Sequence, residues 1–298
     1  MSKYIVYNGF WNVSPSDPVR RLAAAAAQRG HVFTPVPNTA FAVQVAPRVA
    51  VTVNGTPVTA DDRVLFWDKD TRLALALEGC GARLYNRAAA VAACDDKSET
   101  HRVLALGGVP MPKTLLAPMT YVEVSAAIES FLVAAERELA FPMVVKECYG
   151  SFGRQVYLVE NGKQLRERVY AMGARPFVLQ EFIAASSGDD TRLYVVGDTV
   201  AAAIRRHSDG DFRANVELGG KATPYTPTDE ETALAQRCRA LLGLDFCAVD
   251  LLHDGDGRPL VCEVNSNAYM AGLIGATGVD VAEMIVDYVL KEEAAWKI

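Results

Sequence analysis

The chain has 298 residues, half of them hydrophobic and 22% charged, which suits two or three packed layers or domains and excludes a protein dominated by a disordered tail. A formal net charge of -6 disfavours broad electrostatic capture of nucleic acid and leaves at most a local basic groove for it, so small or protein-borne substrates fit better. From the amino terminus, "MSKYIVYNGF" has one lysine and then strand-like alternation, without a cationic leader, and the alanine-rich "LAAAAAQRG" from Leu22 is too short to cross a bilayer. These features read as a cytoplasmic protein without a membrane partner.

In chain order, "KYIVYNGF" reads as a strand ending at Gly9. "SDPVRRLAAAAAQRGH" follows as a helix capped by Ser16 or Asp17, with Pro18 in its first turn and Gly30 as its stop. "RVLFWD" from Arg63 and "RLYN" from Arg83 are further strands around the helical "KDTRLALALEGCGA", an order that implies a parallel sheet with crossover helices. Between them "VAVTVNGTPVTADD" carries a hairpin signal at Asn54-Gly55.

A helix from about Arg87 is expected to run through "CDDKSETHRVLALGG" to Gly107-Gly108, followed by the proline-punctuated link "VPMPKTLLAP". A second unit opens with a helix near "TYVEVSAAIESFLVAAEREL", then the strand "PMVVKE", a glycine loop, the strand "QVYLVE" and the helix "NGKQLRERVYAMG". A third begins near "PFVLQEFI" and holds "DTRLYVVGDTVAAAIRR", two strands turning at Gly197-Asp198. A helix through "DEETALAQRCRALLG", a hairpin and a last helix, "GVDVAEMIVDYVLKEE", complete it.

Three stretches carry chemistry. In "VVKECYGSFGRQVYLVE", Lys146 ends an apolar run before a loop holding Gly150, Ser151 and Gly153; an ammonium beside exposed backbone amides is a way to hold polyphosphate. The loop lacks P-loop spacing and leads into a strand, so a hairpin with a glycine turn stands beside that reading. In "FCAVDLLHDGDGRPLVCEVNSN", two apolar strands flank an Asp/Gly turn and should pair antiparallel, with Asp250 in the first and Glu263 and Asn265 on one face of the second. Unpaired carboxylates are costly to bury, and one or two magnesium ions would account for these three side chains; a solvated sheet face or salt bridges to Arg or Lys is the alternative. In "AAIRRHSDGDFRAN", Arg205, Arg206, Arg213 and Asn215 are placed to stabilise charge on a transferring phosphoryl group, with solvated surface arginine as the alternative. "LQEFI" around Glu181 suits a linker strand along an adenine pocket as well as it suits core packing. The six cysteines, Cys80, Cys94, Cys148, Cys238, Cys247 and Cys262, show no metal spacing and read as reduced, mostly buried thiols.

Lys97 in "CDDKSETHRVLALGGVPMPKT", Lys146 with "GSFGRQV", "QEFI", "DTRLYVVGD", "GDFRAN...GG" and "VDLL...CEVNSN...TGVDVAEMIVDY" stand in an order that resembles the ATP-grasp carboxylate-amine ligases, and within them the RimK-like branch, over roughly residues 85 to 290. The resemblance implies a mixed α/β and α+β chain: a Rossmann-like pre-ATP-grasp domain over 1–90, an ATP-grasp N-subdomain over 91–183 and a C-subdomain over 184–298. It implies Lys97 and Lys146 on the phosphates of ATP and a mobile lid at Gly150, Ser151 and Gly153. Glu181, Phe182 and Ile183 would form the adenine hinge, with Asp190 in the nucleotide pocket. Arg206, or Arg205 in its place, would meet the γ-phosphate and an acylphosphate together with Arg213 and Asn215. Asp250, Glu263 and Asn265 would hold Mg²⁺, with Mn²⁺ as a substitute.

The implied reaction activates a carboxylate with ATP and couples it to an amine, with glutamate or a related amino acid as one substrate. Small molecule, peptide and carrier protein all stay open as acceptors, and a homo-oligomer is open too. "NVELGG" places Glu217 and Leu218 where glutamate-adding relatives carry a basic residue, and "SNAYMAG" is nearer in character to the LysX enzymes than to the ribosomal-protein modifiers.

Overall fold

A computed structural model describes residues 1–11 and 14–296, with side chains to residue 293. The first unit runs β1 (Lys3–Tyr7), α1 (Asp17–Gln28), β2 (Thr34–Pro37), a small antiparallel sheet of β3 (Phe41–Gln44), β4 (Ala50–Val53) and β5 (Thr56–Pro57), then β6 (Arg63–Trp67), α2 (Thr71–Gly79) and β7 (Arg83–Tyr85). Its main sheet is parallel, in the order β2-β1-β6-β7. Period-two alternation sends Ile5, Tyr7, Leu65 and Trp67 to one face and Tyr4, Val6, Val64 and Phe66 to the other, and both faces are covered. The Asn54-Gly55 turn closes β4 on β5 with both residues at positive φ, 48° and 80°, the geometry an Asn-Gly hairpin supplies.

The single helix expected from Arg87 to Gly107 is instead two, α3 (Ala88–Asp95) and α4 (Lys97–Leu106). Asp96 breaks it: its backbone is extended and its carboxylate accepts the Ser98 N–H at 2.8 Å, which caps α4 and leaves Lys97 as the first helical residue. The Lys97 N–H donates to the Cys148 carbonyl at 3.1 Å, so the start of α4 is tied to the chain just beyond Lys146.

The second sheet is antiparallel, ordered β10-β9-β11-β8 from β8 (Thr114–Leu116), β9 (Met143–Glu147), β10 (Val156–Val159) and β11 (Phe177–Glu181), and packs on α5 (Glu129–Leu139) and α6 (Gly162–Ala171). The proline-rich link therefore contains an edge strand, and α5 starts later than its sequence pattern implies. "PFVLQE" closes this second sheet rather than opening the third unit. Met143 and Val145 face the helices, so Val144 and Lys146 face the opposite way, as do Val178 and Gln180 across the register.

The third sheet is antiparallel, ordered β14-β13-β12-β15-β16: β12 (Asp189–Val196), β13 (Thr199–His207), β14 (Lys221–Pro224), β15 (Phe246–His253) and β16 (Pro259–Asn265). One face packs on α7 (Asp229–Leu242), whose Thr228 and Glu231 form a capping box. The other face packs, together with α8 (Ala271–Thr277) and α9 (Val281–Trp296), against α1 and the first sheet; Trp67 stacks on Phe246 at 5.6 Å there. Among the described residues no helix is long and apolar enough to cross a membrane.

Candidate active site

A cleft separates the second sheet's open face from one end of the third sheet, and register fills its floor with charge. On β12, alternation places Asp190 and Arg192 on the cleft face. Asp190 stands opposite Arg206 on β13, Arg192 opposite Asp250 on β15, and Asp250 opposite Glu263 on β16. Asn265, two residues on, shares the face of Glu263. The residues form a bonded row: Arg192 holds Asp250 through two hydrogen bonds of 2.6 and 2.7 Å, Arg206 reaches Asp250 at 3.0 Å, and Arg206 grips Asp190 through two of 2.6 Å. Burial penalises the Asp250 carboxylate, yet the guanidinium groups of Arg192 and Arg206 outweigh it and lower its pKa to about 2. Glu263 is likewise lowered: burial opposes its charge, and Lys97, 3.4 Å away, prevails.

The second sheet presents Lys146, and α4, packed on the third unit through Leu104, presents Lys97. Lys146 is buried with its ammonium 3.4 Å from the Cys262 thiol, and Lys97, also buried, reaches the Gly150 carbonyl at 3.5 Å. Glu181 is exposed and its carboxylate accepts the Lys113 N–H at 3.1 Å, whereas the backbone N–H and C=O of Phe182 carry no hydrogen bond among the described residues. Phe182 and Ile183 line the cleft beside Val144 and Leu252, so a free polar backbone edge sits in an apolar slot.

Arg213 donates to the Gly153 carbonyl at 2.6 Å and pairs with Asp211, which anchors the glycine loop to the third unit. Ser151 lies 3.3 Å from the Lys69 ammonium. Arg205 is placed differently from the other candidates. It points to the opposite face of β13, pairs with Asp189 and is 58% exposed, so Arg206 is the arginine of this pair that faces the cleft.

Beyond the lysines the cleft continues into a second chamber of about 350 Å³ between the third sheet and the carboxyl ends of β1 and β6. Ser151, Asn215 and Glu263 line both chambers. Sequence reasoning missed this chamber's first-unit wall, Tyr7, Asn8, Trp67 and Asp68, although parallel strands collect ligands at their carboxyl ends. It also missed Arg192, two residues from Asp190, and the buried chain in which His101 Nδ1 donates to the Lys97 carbonyl at 2.6 Å and Gln180 donates to Nε2 at 2.9 Å.

Asp250, Glu263 and Asn265 suit a hard cation. Both carboxylates are held ionised, and Asp250 Oδ1 accepts a single hydrogen bond, from Arg192. The Asn265 carboxamide has a buried Nδ2 without a partner among the described residues, and a flip of the amide exchanges it for the oxygen. No group of three or more His, Cys, Asp or Glu able to hold a metal occurs among the described residues.

The family model of the RimK-like ATP-grasp domain matches residues 94–289. The chain is 35% identical over 282 residues to a "Probable alpha-L-glutamate ligase" of Stenotrophomonas maltophilia, covering 91% of this chain and 94% of that protein. It resembles the crystal structure of a RimK domain ATP-grasp protein from Sphaerobacter thermophilus at 28% identity and a TM-score of 0.73, across 97% of this chain and 100% of that one. Its fold also matches the ATP-grasp ligase PsnB, solved with a precursor variant, Mg and ADP, at 20% identity and a TM-score of 0.69 over 98% and 99% of the two chains. With mixed α/β architecture of the ATP-grasp fold and this match over most of its length, the chain belongs to the RimK-like ATP-grasp family and is an ATP-dependent carboxylate-amine ligase.

Proposed function

We propose that the chain binds ATP in the first chamber, activates a carboxylate where that chamber opens into the second, and couples it to an amine. What supports this most is the shared wall: Ser151, Asn215 and Glu263 border both the lysine-lined cleft and the second chamber, where a γ-phosphate and an acid would meet. In this reading the adenine lies along Phe182 and Ile183, with Lys97 and Lys146 on the phosphates. Arg206 fixes Asp190 and Asp250 in the floor, and Arg213 with Asn215 holds the glycine loop over the reacting oxygens. Magnesium, held by Asp250, Glu263 and Asn265, would neutralise phosphate charge as it shifts toward the leaving oxygen.

A carboxylate oxygen attacks the γ-phosphorus, the bond to the β–γ bridging oxygen breaks, and ADP leaves. The neutral amine then attacks the acyl carbon, the carbon–oxygen bond to phosphate breaks, and one amine proton passes to solvent as the amide forms. The chain's part is positioning and charge, with the glycine loop keeping water from the acylphosphate. The units 1–90, 91–183 and 184–298 divide the labour as substrate wall, lid and floor. An amino acid is one substrate, in keeping with relatives named as glutamate ligases. Glu263→Gln is expected to cut substrate-dependent ADP release at least about 100-fold, close to 3 kcal/mol of barrier, with the melting transition retained. Unchanged turnover in a folded variant contradicts the assignment.

A further inference from the structure

Asp68 follows β6 at the point where the first sheet's order reverses, between the carboxyl ends of β1 and β6, the crevice in which open parallel sheets bind ligands. It is 3% exposed and lines the second chamber. Its Oδ1 accepts from Asn8 Nδ2 at 3.1 Å and from the Lys69 N–H at 2.7 Å, but its Oδ2 is buried with no partner among the described residues. A carboxylate oxygen left in that state loses its hydration with no hydrogen bond in return, so the position calls for a donor that arrives with the substrate.

The chamber's own cations are committed elsewhere. Lys69 bridges Asp95 at 2.7 Å, and Arg192 is bound through two hydrogen bonds to Asp250. Glu217, exposed on the chamber wall, has no salt bridge among the described residues, which leaves the chamber with unbalanced negative charge. Tyr7, Trp67 and Tyr269 add aromatic surface of the kind that accepts a cationic group with an apolar stem. Burial also raises the Asp68 pKa, a penalty that a cationic partner relieves.

We propose that Asp68 anchors the ammonium group of an α-amino acid in the second chamber, with the amino acid's carboxylate turned toward the Glu263 wall for activation. This rests on the ligase reading above. A protonated amine has no lone pair, so the group on Asp68 is not the nucleophile: it keeps its protons while the carboxylate of the same molecule gains the phosphoryl group and ADP leaves. The amine that later attacks the acyl carbon belongs to a second molecule, and Asp68 sets which acids are activated.

The test measures ADP release and hydroxamate formation with ATP, magnesium and hydroxylamine as nucleophile. The acids are amino acids paired with their des-amino counterparts: alanine and propionate, phenylalanine and 3-phenylpropionate, glutamate and glutarate. At least one amino acid is expected to exceed its des-amino partner in kcat/KM by about tenfold or more, the scale of one charge-assisted contact, and Asp68→Asn to bring the ratio down at least about fivefold. Glu217→Gln, at an exposed position that tolerates the change, is expected to lower it about twofold and carries the test where Asp68→Asn does not fold. Equal use of des-amino acids, or a ratio untouched by the substitutions, overturns the proposal. So does silence with every amino acid while calorimetry still shows Mg·ATP binding, an outcome that spares the ligase reading; loss of nucleotide binding by the unaltered protein removes the ligase reading itself.

Discussion

Asp250 serves the fold and the site at once. A carboxylate this deeply buried would be expelled or neutralised without partners, and Arg192 and Arg206 keep it charged at any pH near neutrality. Alternation along "FCAVDLL" and "VCEVNSN" was enough to align Asp250, Glu263 and Asn265. The partners were not legible, because which arginine meets Asp250 depends on the register of β12 against β15, a long-range pairing with no local signal. Asp68 was overlooked for the opposite reason: in "FWDKDT" it reads as the polar end of a strand before a helix, and Asp70 is the residue that caps α2. His101 carries a prediction of its own. Burial, and then the Lys146 charge, push its pKa down to about 4, so it is neutral in the folded state and donates from Nδ1 to the Lys97 carbonyl. The unfolded chain takes up that proton near pH 6.5 and the folded chain does not. Stability from this group is therefore intact above pH 6.5 and falls as pH drops toward 4, by about 3 kcal/mol in all. Urea unfolding of the protein and of His101→Gln across that window should show the slope in the first and its reduction in the second; identical slopes contradict it.

At the scale of elements, the glycine loop between β9 and β10 is seated on the third unit. Gly153 has φ +68°, and a Cβ there would stand 2.6 Å from Asn215 Oδ1, so the loop can seat over the third unit only with glycine at that position. Phe152 beside it also has positive φ, 61°, and its ring lies 6.0 Å from that of Trp11 on the first unit. Gly153→Ala is predicted to cost about 1 kcal/mol or more in urea unfolding and to reduce ADP release further than that loss of stability explains. Full activity would show that the seated loop is dispensable. Most elements were legible because their periodicities are strong, including the flanking helices and the Asn-Gly hairpin. The break between α3 and α4 was missed even though Asp96 and Glu99 stand at capping-box spacing, since apolar residues on both sides continue a helical pattern across it. β8 was hidden by prolines, which an edge strand tolerates.

Across the whole molecule, one apolar core joins the first sheet to the third, with Ile5, Leu65 and Trp67 packing toward Tyr194, Phe246 and α9. The second sheet keeps a separate core with α5 and α6, and its charged face turns to the cleft. That division makes floor and substrate wall one body, with α4 and its Lys97 joined to it through Leu104, and sets the Lys146-bearing second sheet apart. The order of motifs showed the kind of site, but not the second chamber, which exists only where the first sheet's carboxyl ends meet β16. The most direct test of this arrangement is a crystal structure of the protein with magnesium and a non-hydrolysable ATP analogue. The triphosphate should lie between Lys97, Lys146 and the Asp250–Glu263 pair, with its γ-phosphate toward the second chamber; a nucleotide bound elsewhere, or phosphates facing away from Glu263, would contradict the account.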